Sequence, residues 1–374
     1  MTTTALETIP FTDLAAMTAD LRPDFDRVWD DAVSKGHFIG GELVDRFEEE
    51  WAAYCGTAHA IGIANGTDAL ELTMRALGIG QGDEVIVPAN TFVATVEAIV
   101  FAGATPCFVD VDSESLLLTP EIVASAITPR TAAVIAVNLF GHMPELRELA
   151  ALADRHNIAL IEDAAQAHGA SVDGGRAGSF GAAGSFSFYV TKNLGAFGDA
   201  GAVVTNDGAL ADAVRTMANH GRPPGEPHVH SVLARNCRLD ALQAGVLSVK
   251  LARLDEWNDA RRRAADLYFE LLHEAARPVT PALDSTSVYH LFVVRVPDRD
   301  ELMDALRSEG IQSGIHYPIP CHLQLPYSGY APEPLPVSEA AAGEILSLPL
   351  FPHITDAQIS RVCACVNDHV TRIR

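Results

Sequence analysis

Only three lysines, Lys35, Lys192 and Lys250, occur in this 374-residue chain, and arginine supplies its other basic side chains. Scarcity makes the setting of each one informative. Lys35 precedes Gly36 at the end of a helical pattern and Lys250 lies late in another, so the negative end of a helix or plain solvation explains both. Lys192 has no such setting. It stands in GSFSFYVTKNLGAFGDAGAVVTND (184–207), among glycine, serine and aromatic residues rather than other charges. A lysine in an apolar pocket has a depressed pKa and attacks carbonyls, so Schiff-base chemistry is the use this setting points to. The bland alternative is a loop lysine guarding a sheet edge.

Asp163 closes the apolar run IALIED (158–163). A carboxylate at the buried end of a strand is costly unless it meets a cation. The pyridinium nitrogen of pyridoxal phosphate (PLP) is such a cation and needs a carboxylate to stay protonated; a helix cap or a metal ligand is the alternative. Strand alternation turns Glu162 to the opposite face. Gln166 and His168 follow closely enough to add hydrogen bonds, or simply to cap or pack. In ANGTDALELTMRALGIG (64–80), Asn, Gly and Thr precede a helical pattern, so backbone N–H groups at the helix start can cradle a phosphate. The same residues also make an ordinary cap. Ser187, five residues before Lys192, offers a hydroxyl to the same anion, and Phe92, after PANT (88–91), is placed to stack on a planar ring or to pack in the core.

These residues need a scaffold, and the hydrophobic rhythm describes one. EVIV (84–87), FVDV (108–111), AAVIAV (132–137) and IALIED alternate with helical stretches such as ATVEAIVFAG and ELRELAALADRHN. That pattern predicts an α/β fold with a mostly parallel central sheet covered by helices, and ligands beyond the carboxyl ends of its strands. After Arg238 come two helix-like segments, LDALQAGVLSVKLARLDEW and NDARRRAADLYFELLHEA, the second able to run out as a spine. YHLFVVRV (289–296), a helix over 301–310, a short strand near 311–317, a proline-rich loop and an amphipathic helix over 355–371 then read as a smaller α+β domain. The expected division is a large domain over 1–254 and a small C-terminal domain over 255–374. RPPGEPHVH (222–230) is the most irregular stretch, expected to be mobile or covered by a partner.

Twenty-six basic against 49 acidic residues give a formal charge of −23, which argues against binding nucleic acid or anionic membrane. The start MTTTALETIP lacks a basic n-region, and no run reaches about 18 uncharged apolar residues, so a cytoplasmic location is the expectation. Six cysteines without a CxxC pair read as reduced thiols; Cys321 stands out because it lies in the proline-rich stretch. An NAD-dependent sugar oxidoreductase would suit the alternating rhythm. However, GIGQGDEVIV and GGRAGSFGAAGSF set their glycines before strands, whereas a dinucleotide fingerprint follows a strand and opens a helix.

A series of motifs in order resembles one family. FIGGELVDRFEEEWAAYCG (38–56), ANGTDAL, PANTFVAT, EDAAQAHGA, SFSFYVTKNLGAFGDAGAV, ARNCRLDALQA, GIHYPIPCHLQ (314–324) and LSLPLFPHIT (346–355) are similar to those of the DegT-like nucleotide-sugar aminotransferases, PLP enzymes of the aspartate-aminotransferase fold, fold type I. The resemblance implies that Lys192 holds PLP as a Schiff base and shuttles the proton, that Asp163 pairs with the ring nitrogen and Gln166 with the ring oxygen. It implies that Gly66, Thr67 and Ser187 bind the phosphate and that Phe92 stacks on the ring. Asn236, in the N-x-R motif, would reach the phosphate from a neighbouring subunit, which implies a homodimer with shared active sites. Val190 stands where the family commonly has proline, implying a less rigid loop. Related dehydratases carry His in place of the lysine, so Lys192 implies amino transfer.

The stretch HYPIPCHLQ resembles members acting on dTDP-linked 3-keto-6-deoxyhexoses, where His316, Tyr317 and Tyr189 would hydrogen-bond the hexose, with His322 structural. The implied reaction moves an amino group from an amino acid, L-glutamate, to the keto sugar in two stages, with pyridoxamine phosphate (PMP) between them. A dTDP-4-keto-hexose or a keto-cyclitol is the alternative substrate, and a non-catalytic PLP-fold regulator the alternative role. Arg222, Arg235 and Arg238 are candidates for diphosphate or carboxylate binding.

Overall fold

The computed structural model describes residues 8–281, 285–330 and 333–372. Seven strands form its central sheet: β1 (His59–Ile63), β2 (Glu84–Pro88), β3 (Thr105–Val109), β4 (Thr131–Val137), β5 (Ala159–Asp163), β6 (Ala183–Ser187) and β7 (Gly201–Thr205). Their order is β1-β7-β6-β5-β4-β2-β3, and every pairing is parallel except the two made by β7. The mostly parallel sheet expected from the βαβ rhythm is therefore present. The order reverses between β2 and β4, which is where crossovers leave a crevice outside the strand ends.

Alternation along the strands divides the apolar side chains between two cores. Ile86, Val134, Ala136 and Leu160 face one side, with Trp51, Phe186 and Phe188; Val85, Val87, Ala133, Ile135 and Ile161 face the other, with Leu70, Met74 and Val96. Such two-sided burial explains why the strands read as continuous apolar runs. The first core holds an aromatic box directly behind the lysine segment. Trp51 is fully buried, with Phe186 edge-on at 4.9 Å and Phe188 edge-on at 5.3 Å between ring centres.

The C-terminal third is built on β8 (Phe292–Arg295), which pairs antiparallel with β9 (Ile345–Leu348). Helices Leu254–Leu271, Arg299–Ser308 and Asp356–Arg372 cover it around a third core containing Tyr268, Phe292, Leu302 and Val362. Two expectations change here. The helical stretch after Arg238 breaks between Leu251 and Leu254 rather than after Trp257, and Asp255 and Glu256 then occupy the first turn of the second helix, where acidic residues suit the macrodipole. The strand near 311–317 shrinks to single bridges at Ile311 and Gly314. Pro318 and Pro320 have no N–H with which to extend a ladder. Loop 222–230 has no helix or strand.

Truncating the aromatic box should loosen the wall behind the lysine. Trp51→Ala should cost about 3–5 kcal/mol of unfolding free energy, measured by urea denaturation; a loss below 1 kcal/mol would mean the box is not a structural support.

Candidate active site

Helix Gly66–Ala76 begins where β1 ends, and Asn65 caps it, its Oδ1 accepting from the Asp68 N–H at 2.8 Å. The first N–H groups of a helix have no intrahelical acceptor, so those of Gly66 and Thr67 remain to face a ligand. Glycine is required at 66 because a Cβ there would lie 2.7 Å from Cβ of Ser187. The close approach brings the end of β6 against the helix start, so the Ser187 hydroxyl joins the cradle. His168 holds this wall from behind, its Nε2 2.9 Å from the Ser187 carbonyl oxygen.

Asp163 lies at the carboxyl end of β5, 7% exposed. Its Oδ2 accepts from the Thr95 hydroxyl at 2.7 Å and its Oδ1 from the Ala165 N–H at 3.2 Å. Burial pushes this carboxyl above its ordinary pKa, against the pull of those hydrogen bonds and of the Lys192 charge. Glu162 points to the opposite face, as alternation requires, and is fully buried; its carboxylate accepts from the N–H groups of Gly178 and Phe180, each at 2.8 Å.

Lys192 projects from a loop with no regular structure between β6 and β7. Burial brings its pKa down to about 8, and the Asp163 carboxylate is the influence that opposes the fall. An amine in that range is half deprotonated near pH 8 and able to take or give a proton. Val190 does not leave the loop untethered. The Lys192 N–H donates to the Tyr189 carbonyl at 2.8 Å, and a Cβ on Gly195 would come within 2.5 Å of the Val190 carbonyl oxygen, so the loop closes tightly on itself.

The second staple of this loop corrects an expectation. Lys250 is in the last turn of helix Ala241–Leu251 as foreseen, but it is buried rather than solvated. Its Nζ donates to the Gly195 carbonyl at 2.6 Å and lies 4.6 Å from the centre of the Phe197 ring, and burial holds its pKa at about 8. Lys35 does meet expectation, at a helix end with Asp31 and Glu42 as partners.

Gly66, Thr67, Phe92, Asp163, Gln166, Ser187, Tyr189, Lys192, His316 and Tyr317 all line one cavity of about 430 Å³. Gln166 spans two of its walls: Oε1 accepts from the Phe140 N–H at 2.6 Å, and Nε2 is 3.1 Å from the Tyr317 hydroxyl. The second N–H of Nε2 remains for a ligand. Phe92 is half exposed, its ring 5.3 Å from that of Tyr317. His316 lies within 2.9 Å of the Ser347 hydroxyl and stacks on Phe11, and burial lowers its pKa to about 4. A larger open groove of about 750 Å³ runs between helices Arg22–Lys35 and Ala241–Leu251, but its one carboxylate, Asp26, is paired with Arg22 and no lysine lines it.

Asn236 is not brought to the cavity; it is exposed and accepts from Arg238 Nε at 2.9 Å. The candidate arginines are engaged elsewhere too: Arg235 with Asp68 and Glu71, and Arg222 with Asn219. His168 sits behind the cavity wall, not in it. Cys321 is buried, its thiol donating to the Thr91 carbonyl at 3.2 Å and pushed up to about 12, so it is inert. His322 is structural, with Nε2 3.1 Å from Glu339. Two further residues, Thr95 and His290, bear on the site without a clear mark in the sequence. Thr95 was legible as a hydroxyl in the mostly apolar helix VATVEAIVFA, and Thr91, four residues earlier, bonds it at 2.8 Å. His290 lay hidden in an apolar strand pattern, YHLFVVRV.

Residues 20–367 match the DegT/DnrJ/EryC1/StrS aminotransferase family. The chain belongs to that family, whose cofactor is PLP. It is 46% identical to the erythromycin biosynthesis sensory transduction protein EryC1 of Saccharopolyspora erythraea, over 95% of this chain and 98% of that one. It is 44% identical to the dTDP-3-amino-3,4,6-trideoxy-alpha-D-glucose transaminase of Streptomyces venezuelae, over 98% and 97%. The crystal structure of S. venezuelae DesV in complex with a ketimine intermediate superimposes with a TM-score of 0.95 at 43% identity, covering 98% of this chain and all of that one. Among the described residues no helix is long and apolar enough to cross a membrane.

The Asp163 charge supports the Lys192 ammonium, so its removal has a definite sign. In Asp163→Asn the pH midpoint for modification of Lys192 by an amine-reactive reagent, followed by peptide mass spectrometry on cofactor-free protein, should fall below that of the parent protein. An unchanged or higher midpoint would mean that the two groups do not act on each other.

Proposed function

We propose that this aminotransferase moves an amino group from L-glutamate to a nucleotide-linked keto-deoxysugar, a dTDP-3-keto-6-deoxyhexose. The observation that carries the reading is the meeting, in one cavity, of a lysine with a lowered pKa, a buried carboxylate and an anion cradle. These residues fit PLP. Gly66, Thr67 and Ser187 would hold its phosphate, Asp163 its ring nitrogen, Gln166 its ring oxygen, and Phe92 would stack on the ring. When bound, PLP supplies the carbon that carries the amino group and a ring that withdraws electrons as a proton leaves the substrate.

The chain's own residues supply the rest. Thr95 and the Ala165 N–H donate to Asp163 and favour its charged form, against the burial that favours the neutral acid. Lys192, once its amine is released, takes a proton from the donor's α-carbon and returns one to the adjacent position, alternating as base and acid. Gln166 fixes the Tyr317 hydroxyl by donating to its oxygen, which leaves the phenol's own hydrogen for a ligand. His316, uncharged at neutral pH, and Tyr189 would complete the hexose contacts. The HYPIPCHLQ stretch favours the 3-keto sugar over the 4-keto sugar or keto-cyclitol, and the S. venezuelae relative, a 3-amino-sugar transaminase by name, supports that choice.

A homodimer with shared active sites belongs to the same reading. It is supported by the position of Asn236, exposed and away from its own cavity, and by large exposed apolar side chains around the helix Arg22–Lys35 groove, among them Trp29 at 59% and Phe197 at 47%. A division into a large domain, 1–254, and a small one, 255–374, is proposed with it, as is a cytoplasmic location. EryC1 carries a sensory name, yet Lys192, Asp163 and the cradle are intact here, which favours turnover over a purely regulatory role.

Incubation with glutamate and a panel of dTDP-3-keto and dTDP-4-keto hexoses, with products read by mass and NMR, should place the new amine at C3. Lys192→Ala should abolish it. An amine at C4 would overturn the regiochemistry, and turnover at parent rates in Lys192→Ala would overturn the catalytic reading.

A further inference from the structure

Two of the chain's three lysines meet at one loop. Besides the ligand cavity, Lys192 lines a second cavity of about 210 Å³, and Lys250 lines it too; its walls are the lysine loop, through Val190, Gly195 and Phe197, and the helix Leu14–Ala19. Lys250 is only 4% exposed, and among the described residues no carboxylate pairs with it, so burial alone moves its pKa. A buried cation without a counter-ion costs stability, and an apolar side chain of similar length would be cheaper there for folding alone. The charge calls for another reason.

Helix Ala241–Leu251 presents Gln243 and Lys250 seven residues apart, on one face. Gln243 Oε1 accepts from the Phe197 N–H at 2.8 Å and its Nε2 donates to the Phe197 carbonyl at 3.3 Å, so one side chain pairs with both backbone groups of one loop residue. Lys250 Nζ takes the carbonyl two residues earlier, that of Gly195, at 2.6 Å, and the Phe197 ring lies 4.6 Å from the ammonium. Phe25 packs edge-on against that ring at 4.8 Å. From Gly195 the path to the catalytic amine is short. The Ala196 N–H donates to the Phe188 carbonyl and the Lys192 N–H to the Tyr189 carbonyl, each at 2.8 Å, and the Val190 carbonyl oxygen lies within 2.5 Å of where a Gly195 Cβ would stand. There is no slack between Gly195 and Val190, so a displacement of the first moves the second and the lysine beyond it.

We propose that Lys250 is a positioning residue for amino transfer, with Gln243 as its companion: by gripping the Gly195 carbonyl, its ammonium fixes the loop that decides where the Lys192 amine stands. Lys250 gives up no proton and touches no substrate. The segment between Tyr189 and Ala200 belongs to no helix or strand, so side chains must supply the stiffness that a ladder would otherwise give. A charged donor suits that task, since a charge-assisted hydrogen bond is roughly twice as strong as a neutral one and no water competes for the carbonyl in a buried setting. The assignment rests on the amino-transfer reading and gives the two buried amines separate work: one reacts, and the other holds it in place.

Measurements on the PLP-loaded protein test this. Lys250→Met keeps the length of the side chain and loses the donor. It should speed amide hydrogen exchange at Ala196 and Phe197 by about 10-fold or more, the factor that a bond to a charged donor is worth, and weaken the circular dichroism of the cofactor's absorption band. Its kcat should fall by about 10-fold or more, as expected for a misplaced reacting group, with KM within a few-fold of the parent. Lys250→Arg, whose guanidinium can reach the same carbonyl and has the adjoining cavity for its extra bulk, should recover much of the loss. Exchange and kcat within twofold of the parent in Lys250→Met, or a Lys250→Arg no better than Lys250→Met, overturns the proposal. Should Lys250→Met not fold, Gln243→Leu, which loses only the two bonds to Phe197, should show the same pattern, and parent-like exchange and kcat there overturn it equally. A parent protein that binds PLP but transfers no amino group counts instead against the proposed function, because exchange and dichroism are read without turnover.

Discussion

Everything at this site depends on a carboxylate and an amine being taken out of water within reach of each other's charge. Neither is comfortable alone: burial favours the neutral acid for Asp163 and the neutral amine for Lys192. Each opposes that tendency in the other. The net effect is an acid whose pKa is raised by burial but held back by Thr95, the Ala165 N–H and the Lys192 charge, and an amine poised near pH 8. Proton transfer at neutral pH needs that balance, since a lysine at its solution pKa would almost never be a free base.

The sheet makes the balance possible. Parallel strands deliver their carboxyl ends to one edge, so Asp163 from β5 and Ser187 from β6 arrive beside each other without long loops. The antiparallel return through β7 leaves the lysine segment as a short loop across that edge. Its tightness comes from small contacts: glycine at 66 and 195 where a Cβ would collide, and a buried ammonium, Lys250, bonded to the Gly195 carbonyl. Hydrogen bonds and close packing thus hold the loop at Val190 without the fixed φ of a proline.

Much of this was legible in the sequence, and the reasons differ residue by residue. Lys192 stood out through the rarity of lysine, Asp163 through its place at the end of an apolar strand, and the strands themselves through two-sided burial. Contacts that depend on three-dimensional satisfaction were not legible. Lys250 read as a helix-end or a solvated lysine, and nothing local shows that it is buried against the Gly195 carbonyl. The arginines carried the right chemistry, but the fold turns them to other partners within the chain. His290 was not legible for a related reason: only the fold brings Asn193, distant in sequence, within 3.0 Å of its Nδ1 and turns the ring to the cavity.

The central claim is that one particular lysine carries the cofactor. Borohydride reduction of the PLP-loaded protein followed by peptide mapping tests it directly, since the chain offers only three candidate lysines. The account requires the pyridoxyl mass on the peptide containing Lys192. Finding it on the peptide containing Lys250, the other buried amine with a lowered pKa, or finding no adduct at all, would contradict it.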